Sequence, residues 1–169
     1  NLSTFGLRSA SNAILTTDLK PKTYKSSFKI NNELFTISGF AKGSGMIFPN
    51  MATMLAFIFT DFAIDRETLS GFTKKAVSES FNRISVDGDT STSDSVFVGT
   101  TNKKEPKVAK EKRPAALNAF YKEIRKAMVD LAKKIVMDGE GAKKFVEVTV
   151  KNAKSLVRAR EISFSITNS

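Results

Sequence analysis

One threonine stands in the middle of an unusually apolar stretch of the sequence. Thr53 lies within AKGSGMIFPNMATMLAFIFTDF, residues 41–62, and follows a Gly-Ser-Gly turn and a Pro-Asn pair. A threonine hydroxyl is a poor nucleophile unless a base takes its proton. The chain has neither histidine nor cysteine, so that base must be a carboxylate, a lysine, a tyrosine or an α-amino group. The residues make Thr53 a candidate nucleophile, although a flexible turn before a buried strand explains the same stretch without chemistry.

Two further clusters of polar residues could take part in the same chemistry. The segment DGDTSTSDS, residues 87–95, holds three carboxylates and five hydroxyls, but Asp-Gly-Asp alone is also typical of a surface loop. Its glycine and acids do not match the spacing of an EF-hand, and no metal site is predicted. The segment DGEGAKKFVEV, residues 138–148, places Asp138 and Glu140 after a helix, where they could equally be solvated acids beside a C-cap glycine.

The hydrophobic pattern predicts the elements that would position these clusters. Residues 115–137 repeat apolar side chains at helical spacing, which predicts a long amphipathic helix. Upstream of this helix the pattern predicts two strands within 26–40 around Asn31-Asn32 and a strand over 54–64 buried on both faces. It then predicts a helix from about 66 to 82 capped by Asp65 and a short strand fed by the polar loop within 86–100. Downstream it predicts a strand over 143–152 with Val146, Val148 and Val150 on one face.

The tail from Ala153 fits either a helix or, near its end, a strand, and the helix is favoured. The mixture of helices and strands predicts a layered α+β fold, and 169 residues are enough for a single domain over 1–169 with a sizeable core.

Charge and apolar length bear on the possible partners. The net charge is +10, which leaves open a basic nucleic-acid-binding domain. However, the densest basic stretch, residues 102–114, is interrupted by Glu105 and Glu111 and has no aromatic residue to stack on a base. We therefore expect an exposed loop there and no specific nucleic-acid partner. The longest apolar stretch, 45–59, is shorter than the roughly 20 residues of a membrane helix, so a soluble chain is expected.

The three clusters, taken in order, resemble a known family. KGSGMI-PNMATMLAFI-TD, SFNRISVDGDTSTSDS and DGEGAKKFVEV occur here with the order and separations found in ornithine acetyltransferase, the bifunctional glutamate N-acetyltransferase of arginine biosynthesis. The resemblance runs from AILTTDLKPK to the tail. It implies an N-terminal-nucleophile-like fold with layered sheets between helices, and a cytoplasmic location, or an organelle matrix in a eukaryote.

The resemblance also implies a site and a reaction. Such enzymes cut themselves before the threonine of MATML, here between Ala52 and Thr53, so that 1–52 would end the α chain and 53–169 begin the β chain. The new N-terminal Thr53 takes acetyl from N-acetylornithine and passes it to glutamate. Substrate contacts would involve Thr16 or Thr17, Lys42, Thr53 and Glu140. No cofactor is implied, although some members use acetyl-coenzyme A as a substrate, and the cleaved chains would assemble as a heterotetramer.

Elementary chemistry agrees with that assignment. Cleavage before Thr53 would create an α-amino group with an ordinary pKa of about 7.7–8.0, a base already attached to the nucleophile's own residue. An amidohydrolase or aminopeptidase with the same N-terminal threonine is the alternative within this chemistry. Leu19 and Ser93 depart from the family's usual TTDT and TSTND. The family's Thr-Gly oxyanion hole and its last Asn and Ser/Thr contacts would fall outside residues 1–169.

Overall fold

A computed structural model of the protein describes residues 6–47, 54–89 and 93–169. This part of the chain forms four helices and four strands. In order they are α1 (Gly6–Ala13), β1 (Lys22–Ile30), β2 (Glu33–Lys42), β3 (Leu55–Phe62), α2 (Arg66–Ser78), β4 (Ser95–Lys104), α3 (Arg113–Met137) and α4 (Leu156–Thr167), with short 3₁₀ turns at Phe81–Arg83 and Lys110–Lys112.

The strands form one mixed sheet in the order β1-β2-β3-β4. The first three are antiparallel neighbours, and β4 runs parallel to β3 after the crossover through α2. The predicted turn at Asn31-Asn32 joins β1 to β2, and Asn31 has φ 50°, a left-handed conformation that asparagine tolerates. The predicted hairpin is confirmed, with strands that reach beyond 26–40 at both ends.

The core lies between one face of this sheet and the long helix α3, which confirms the predicted amphipathic helix. Alternate residues of β2 and β3, such as Phe35 and Phe62, point at this layer. Phe62 stacks on Phe120 of α3 with 4.6 Å between ring centroids. Most of the apolar stripe of α3 is buried in this layer: Phe120, Tyr121, Ile124, Met128, Leu131 and Ile135. This arrangement confirms the α+β class.

Around β3 the opposite face of the sheet is apolar but only partly buried, whereas on β1 the same face carries polar residues such as Lys25 and Ser27. Phe57 stacks between Phe40 and Phe97, with 5.1 Å between centroids on each side, and Phe97 is 53% exposed. The prediction that β3 is buried on both faces is therefore wrong for this chain, because among the described residues no layer covers its outer face. A run of apolar residues could not distinguish a strand covered on both sides from one covered on a single side.

Three further predictions need correction. The helix capped by Asp65 ends at Ser78 rather than near 82, and the Asp65 side chain accepts from the Thr68 amide as a cap should. The strand after the polar loop is ten residues long and takes in 102–104 from the predicted basic loop. Residues 143–152 are not a strand: Val146 is exposed, and no neighbouring strand is present in the described residues to pair with its backbone. The favoured helix in the tail is confirmed as α4.

Candidate functional site

Two of the predicted substrate residues meet at one end of the sheet. Strand β2 ends at Lys42, whose register partner Leu55 begins β3. The Lys42 ammonium donates to the hydroxyl of Thr16 over 3.2 Å, and the lysine is largely buried. Thr17 is the neighbour of Thr16 and its side chain is exposed. The structure thus brings Lys42 and the TTD segment together, although they lie 26 residues apart in sequence.

Glu140 joins this group through the Gly-Ser-Gly turn that follows β2. Its amide donates to the carbonyl oxygen of Ser44 over 2.7 Å, and the Ser44 hydroxyl donates to the carbonyl of Asp138 over 3.1 Å. A Cβ on Gly45 would lie only 3.1 Å from Oε2 of Glu140. Glycine at this position therefore leaves room for the Glu140 carboxylate, which is itself exposed at the site.

A buried cluster of charges holds these segments in place. The ammonium of Lys22 lies 2.5 Å from Oδ1 of Asp18 and 2.6 Å from Oδ2 of Asp138, and all three side chains are at most 2% exposed. The two carboxylates also accept hydrogen bonds from backbone amides. Asp18 accepts one from Gly43 over 2.7 Å, and Asp138 accepts one from Leu19 over 3.1 Å. The Asp18–Lys22–Asp138 cluster therefore fastens the TTD segment to the end of β2 and to the end of α3.

The charge state of Asp18 reflects this network. Burial raises the pKa of its carboxyl, but the Gly43 amide and the Lys22 ammonium more than offset that effect and leave the pKa below its ordinary 3.8. Asp18 is therefore ionised at neutral pH, as its pairing with Lys22 requires. One lysine between two buried carboxylates leaves a net negative cluster, and the backbone amides supply the remaining compensation.

The predicted nucleophile Thr53 and its neighbour Ala52 lie outside the described residues. Met54 follows Thr53 in sequence, and its amide donates to Oδ1 of Asp94. On the other side, the amides of Met46 and Ile47 donate to Asp87. Burial raises the pKa of Asp94 to about 6, although the hydrogen bond from Met54 acts in the opposite direction.

Sequence reasoning missed the most important structural residues of the site. Lys22 is absent from the predicted site residues, and Asp138, for which a solvated acid is one of the two expectations, is buried. The only local sign of an ion pair is the spacing of four residues between Asp18 and Lys22 in TTDLKPK. That spacing predicts a pair on a helix, but this segment is not helical. The departure at Leu19 leaves the cluster intact, since only its backbone contributes and its side chain is 85% exposed. Ser93 is exposed.

Several other features bear on the site's chemistry. Among the described residues no three His, Cys, Asp or Glu side chains approach closely enough to hold a metal ion. Within those same ranges no helix has the length and apolar character needed to cross a bilayer.

In the basic stretch 102–114, Lys104 pairs with Asp61 and Lys107 with Glu33, so part of the positive charge of that stretch is matched by carboxylates.

Comparison with known proteins covers the whole chain. The sequence model of the ArgJ family matches residues 1–169. The "Arginine biosynthesis bifunctional protein ArgJ" of Colwellia psychrerythraea is 44% identical over 100% of the chain and 40% of its own length. The "Glutamate N-acetyltransferase" of Methanocaldococcus jannaschii is 47% identical over 95% of the chain and 39% of its own length. The chain thus spans about 40% of the length of these relatives.

A solved structure gives the same result for the fold. The crystal structure of the arginine biosynthesis bifunctional protein ArgJ from Bacillus halodurans superposes with a TM-score of 0.58 at 38% identity, over 69% of this chain and 55% of that one. At this identity the likeness concerns sequence as well as fold. With a family match over every residue and relatives above 40% identity across the chain, the protein belongs to the ArgJ family.

Proposed function

We propose that the full-length protein carrying this chain is an acyltransferase of arginine biosynthesis that moves acetyl from N-acetylornithine to glutamate. Thr53 is its nucleophile and becomes N-terminal when the protein cuts itself between Ala52 and Thr53. The names of the relatives, "Glutamate N-acetyltransferase" and "Arginine biosynthesis bifunctional protein ArgJ", support the reaction class. We further propose that no cofactor is needed, that acetyl-coenzyme A can serve as a donor, that the cut chains assemble as an αβ heterotetramer, and that the enzyme works in the cytoplasm or an organelle matrix.

Self-cleavage and transfer use the same hydroxyl. The Thr53 oxygen attacks the carbonyl carbon of Ala52, the C–N bond breaks, and the proton of the hydroxyl passes to the freed α-amine. Water then hydrolyses the resulting ester and leaves Thr53 with a free amine and a free hydroxyl. In the transfer reaction that amine takes the hydroxyl proton while the oxygen attacks the acetyl carbon of N-acetylornithine. The amine then passes the proton to the departing nitrogen, the acetamide C–N bond breaks, and ornithine leaves. The amine of glutamate attacks the acetyl ester and restores the hydroxyl.

The observation that carries this proposal is the meeting of a buried cation and an exposed anion at one end of the sheet. Lys42 and Glu140 both adjoin the Gly-Ser-Gly turn, and Lys42 lies beside Leu55, the first residue of β3 and the second residue after Thr53. An amino acid carries a carboxylate, which the Lys42 ammonium can bind, and an ammonium, which the Glu140 carboxylate can bind.

Incubation of the full-length protein with N-acetylornithine and glutamate should yield ornithine and N-acetylglutamate. Release of free acetate alone would favour the amidohydrolase alternative.

Lys42→Ala should lower kcat/KM for N-acetylornithine while the protein stays folded. Loss of a hydrogen bond to a charged group costs about 1.5–3 kcal/mol, which corresponds to about a 10- to 150-fold loss in kcat/KM. Lys25→Ala is the matched control, because Lys25 is an exposed lysine on the same face of the sheet. Steady-state kinetics of both variants test the role, and equal kinetics would exclude Lys42 from substrate binding.

Glu140→Gln should lower turnover by about tenfold or more, because it keeps the shape of the side chain and removes the charge that meets an amine or relays a proton. Glu111→Gln, at an exposed position far along the chain, serves as the control. Turnover of the two variants at saturating substrate is the measurement. A rate within about twofold of the parent would make Glu140 an ordinary surface acid.

A further inference from the structure

Residues at the two ends of segment 86–95 contact the chain on both sides of the predicted cut. On the upstream side, Asp87 accepts the amides of Met46 and Ile47, the latter over 2.9 Å. The amide of Val86 donates to the carbonyl of Ile47 over 2.8 Å. Residue 47 is therefore held through both its amide and its carbonyl.

The downstream side is held in the same way. The Met54 amide donates a hydrogen bond to Asp94, and the Met54 carbonyl accepts one from the Ser95 amide over 3.0 Å. Ile47 and Met54 are the described residues nearest to the cut on its two sides, and both are buried. Their side chains also converge: a Cβ on Gly43 would lie 3.2 Å from Cδ1 of Ile47 and 3.7 Å from Cβ of Met54.

We propose that Val86, Asp87, Asp94 and Ser95, the clamp residues, are positioning residues that hold both flanks of the Ala52–Thr53 bond for cleavage and keep Thr53 in place afterwards. This inference rests on the proposed function. Attack on a neighbouring carbonyl requires the reacting atoms about 3–3.5 Å apart, and a misplacement of 1 Å can cost about 10²-fold in rate. The four backbone contacts at residues 47 and 54 fix the two points from which the intervening chain departs.

The same contacts explain how the site survives the loss of a peptide bond. Once the chain is cut, Met54 is the second residue of a new N-terminus, a position that ordinarily frays. Hydrogen bonds to Asp94 and Ser95 continue to hold it beside β4, while Asp87 and Val86 hold Ile47, the last described residue before the cut. The two chains therefore stay joined through hydrogen bonds from Ile47 and Met54 to the same segment, residues 86–95.

The test compares Asp94→Ala, Asp87→Ala and Asp94→Asn with Asp89→Ala in the full-length protein. Asp89 belongs to the same acidic segment and is exposed, and its carboxylate makes no hydrogen bond or ion pair to any described residue. Conversion of the precursor into two chains is followed on denaturing gels after synthesis in vitro, and melting temperatures are measured alongside. Asp94→Ala and Asp87→Ala should each slow conversion about tenfold or more, while Asp89→Ala should cleave like the parent.

Rescue by the conservative variant separates positioning from general stability. Asp94→Asn keeps an oxygen that can accept the Met54 amide, so it should cleave within about threefold of the parent. Equal cleavage rates for Asp94→Ala and Asp89→Ala would overturn the clamp. So would cleavage rates that fall among the variants only in proportion to their melting temperatures. If Asp94→Ala does not fold, the exposed Asp87 position decides between the same outcomes. A parent that remains one chain would contradict the proposed function and the clamp with it, whereas a cut parent with unaffected variants contradicts only the clamp.

Discussion

The full-length protein with Thr53→Ala is expected to run as a single uncut chain on a denaturing gel, where the parent runs as two. Alanine lacks the hydroxyl that attacks the Ala52 carbonyl, so neither cleavage nor an acetyl-enzyme can form. Thr53→Ser keeps a hydroxyl and should cleave, more slowly, and retain part of the transfer activity. Intact-mass measurement checks both points, since it reports the two fragments and an added acetyl group on the β chain.

Thr53→Val distinguishes chemistry from packing. Valine keeps the branched shape of threonine, so a packing residue would tolerate it with little effect, whereas a nucleophile would lose both cleavage and transfer. Thr149→Val, at an exposed position, is the control for the substitution itself. A wild-type protein that is intact and still active would contradict the N-terminal amine as the base, and a carboxylate, first of all Glu140, would take its place.

Lys22→Ala is expected to destabilise the protein by about 3–5 kcal/mol, the usual cost of removing one partner from a buried ion pair. The change leaves Asp18 and Asp138 facing each other in the interior without their shared cation. Urea denaturation should show a much lower midpoint than for the parent. The Asp18 contribution is present above its ordinary pKa and is lost as pH falls through its lowered folded pKa, so the parent should also lose stability in strong acid.

Two variants control this result. Lys20→Ala removes an exposed lysine two residues away and should change the midpoint little. The triple variant Asp18→Asn, Lys22→Met, Asp138→Asn removes all three charges, and should recover part of the stability because no unpaired charge remains buried. A midpoint for Lys22→Ala equal to that of Lys20→Ala would mean that the cluster is hydrated rather than buried.

Most of the fold follows from patterns that are local in sequence. The helical spacing of apolar residues over 115–137 predicts α3, and Asn31-Asn32 predicts the β1–β2 turn. The 143–152 segment failed as a prediction because alternation states only that one face is apolar. A strand also needs a neighbour to take its backbone hydrogen bonds, and that neighbour is not a property of the segment.

For the candidate site, the sequence by itself determined the residue types and the family. Without histidine or cysteine, an N-terminal threonine is a chemically consistent nucleophile. The family resemblance points to Thr16 or Thr17 in the TTD segment and to Lys42, Thr53 and Glu140 in the motifs. Only the tertiary structure decided that Lys22 lies between Asp18 and Asp138, and that Asp87 and Asp94 hold the chain on both sides of the predicted cut. These contacts join residues 40 or more positions apart, except for Asp18 and Lys22. Burial makes such charges depend on specific partners, and burial is set by the packing of the sheet on α3, which no local pattern encodes.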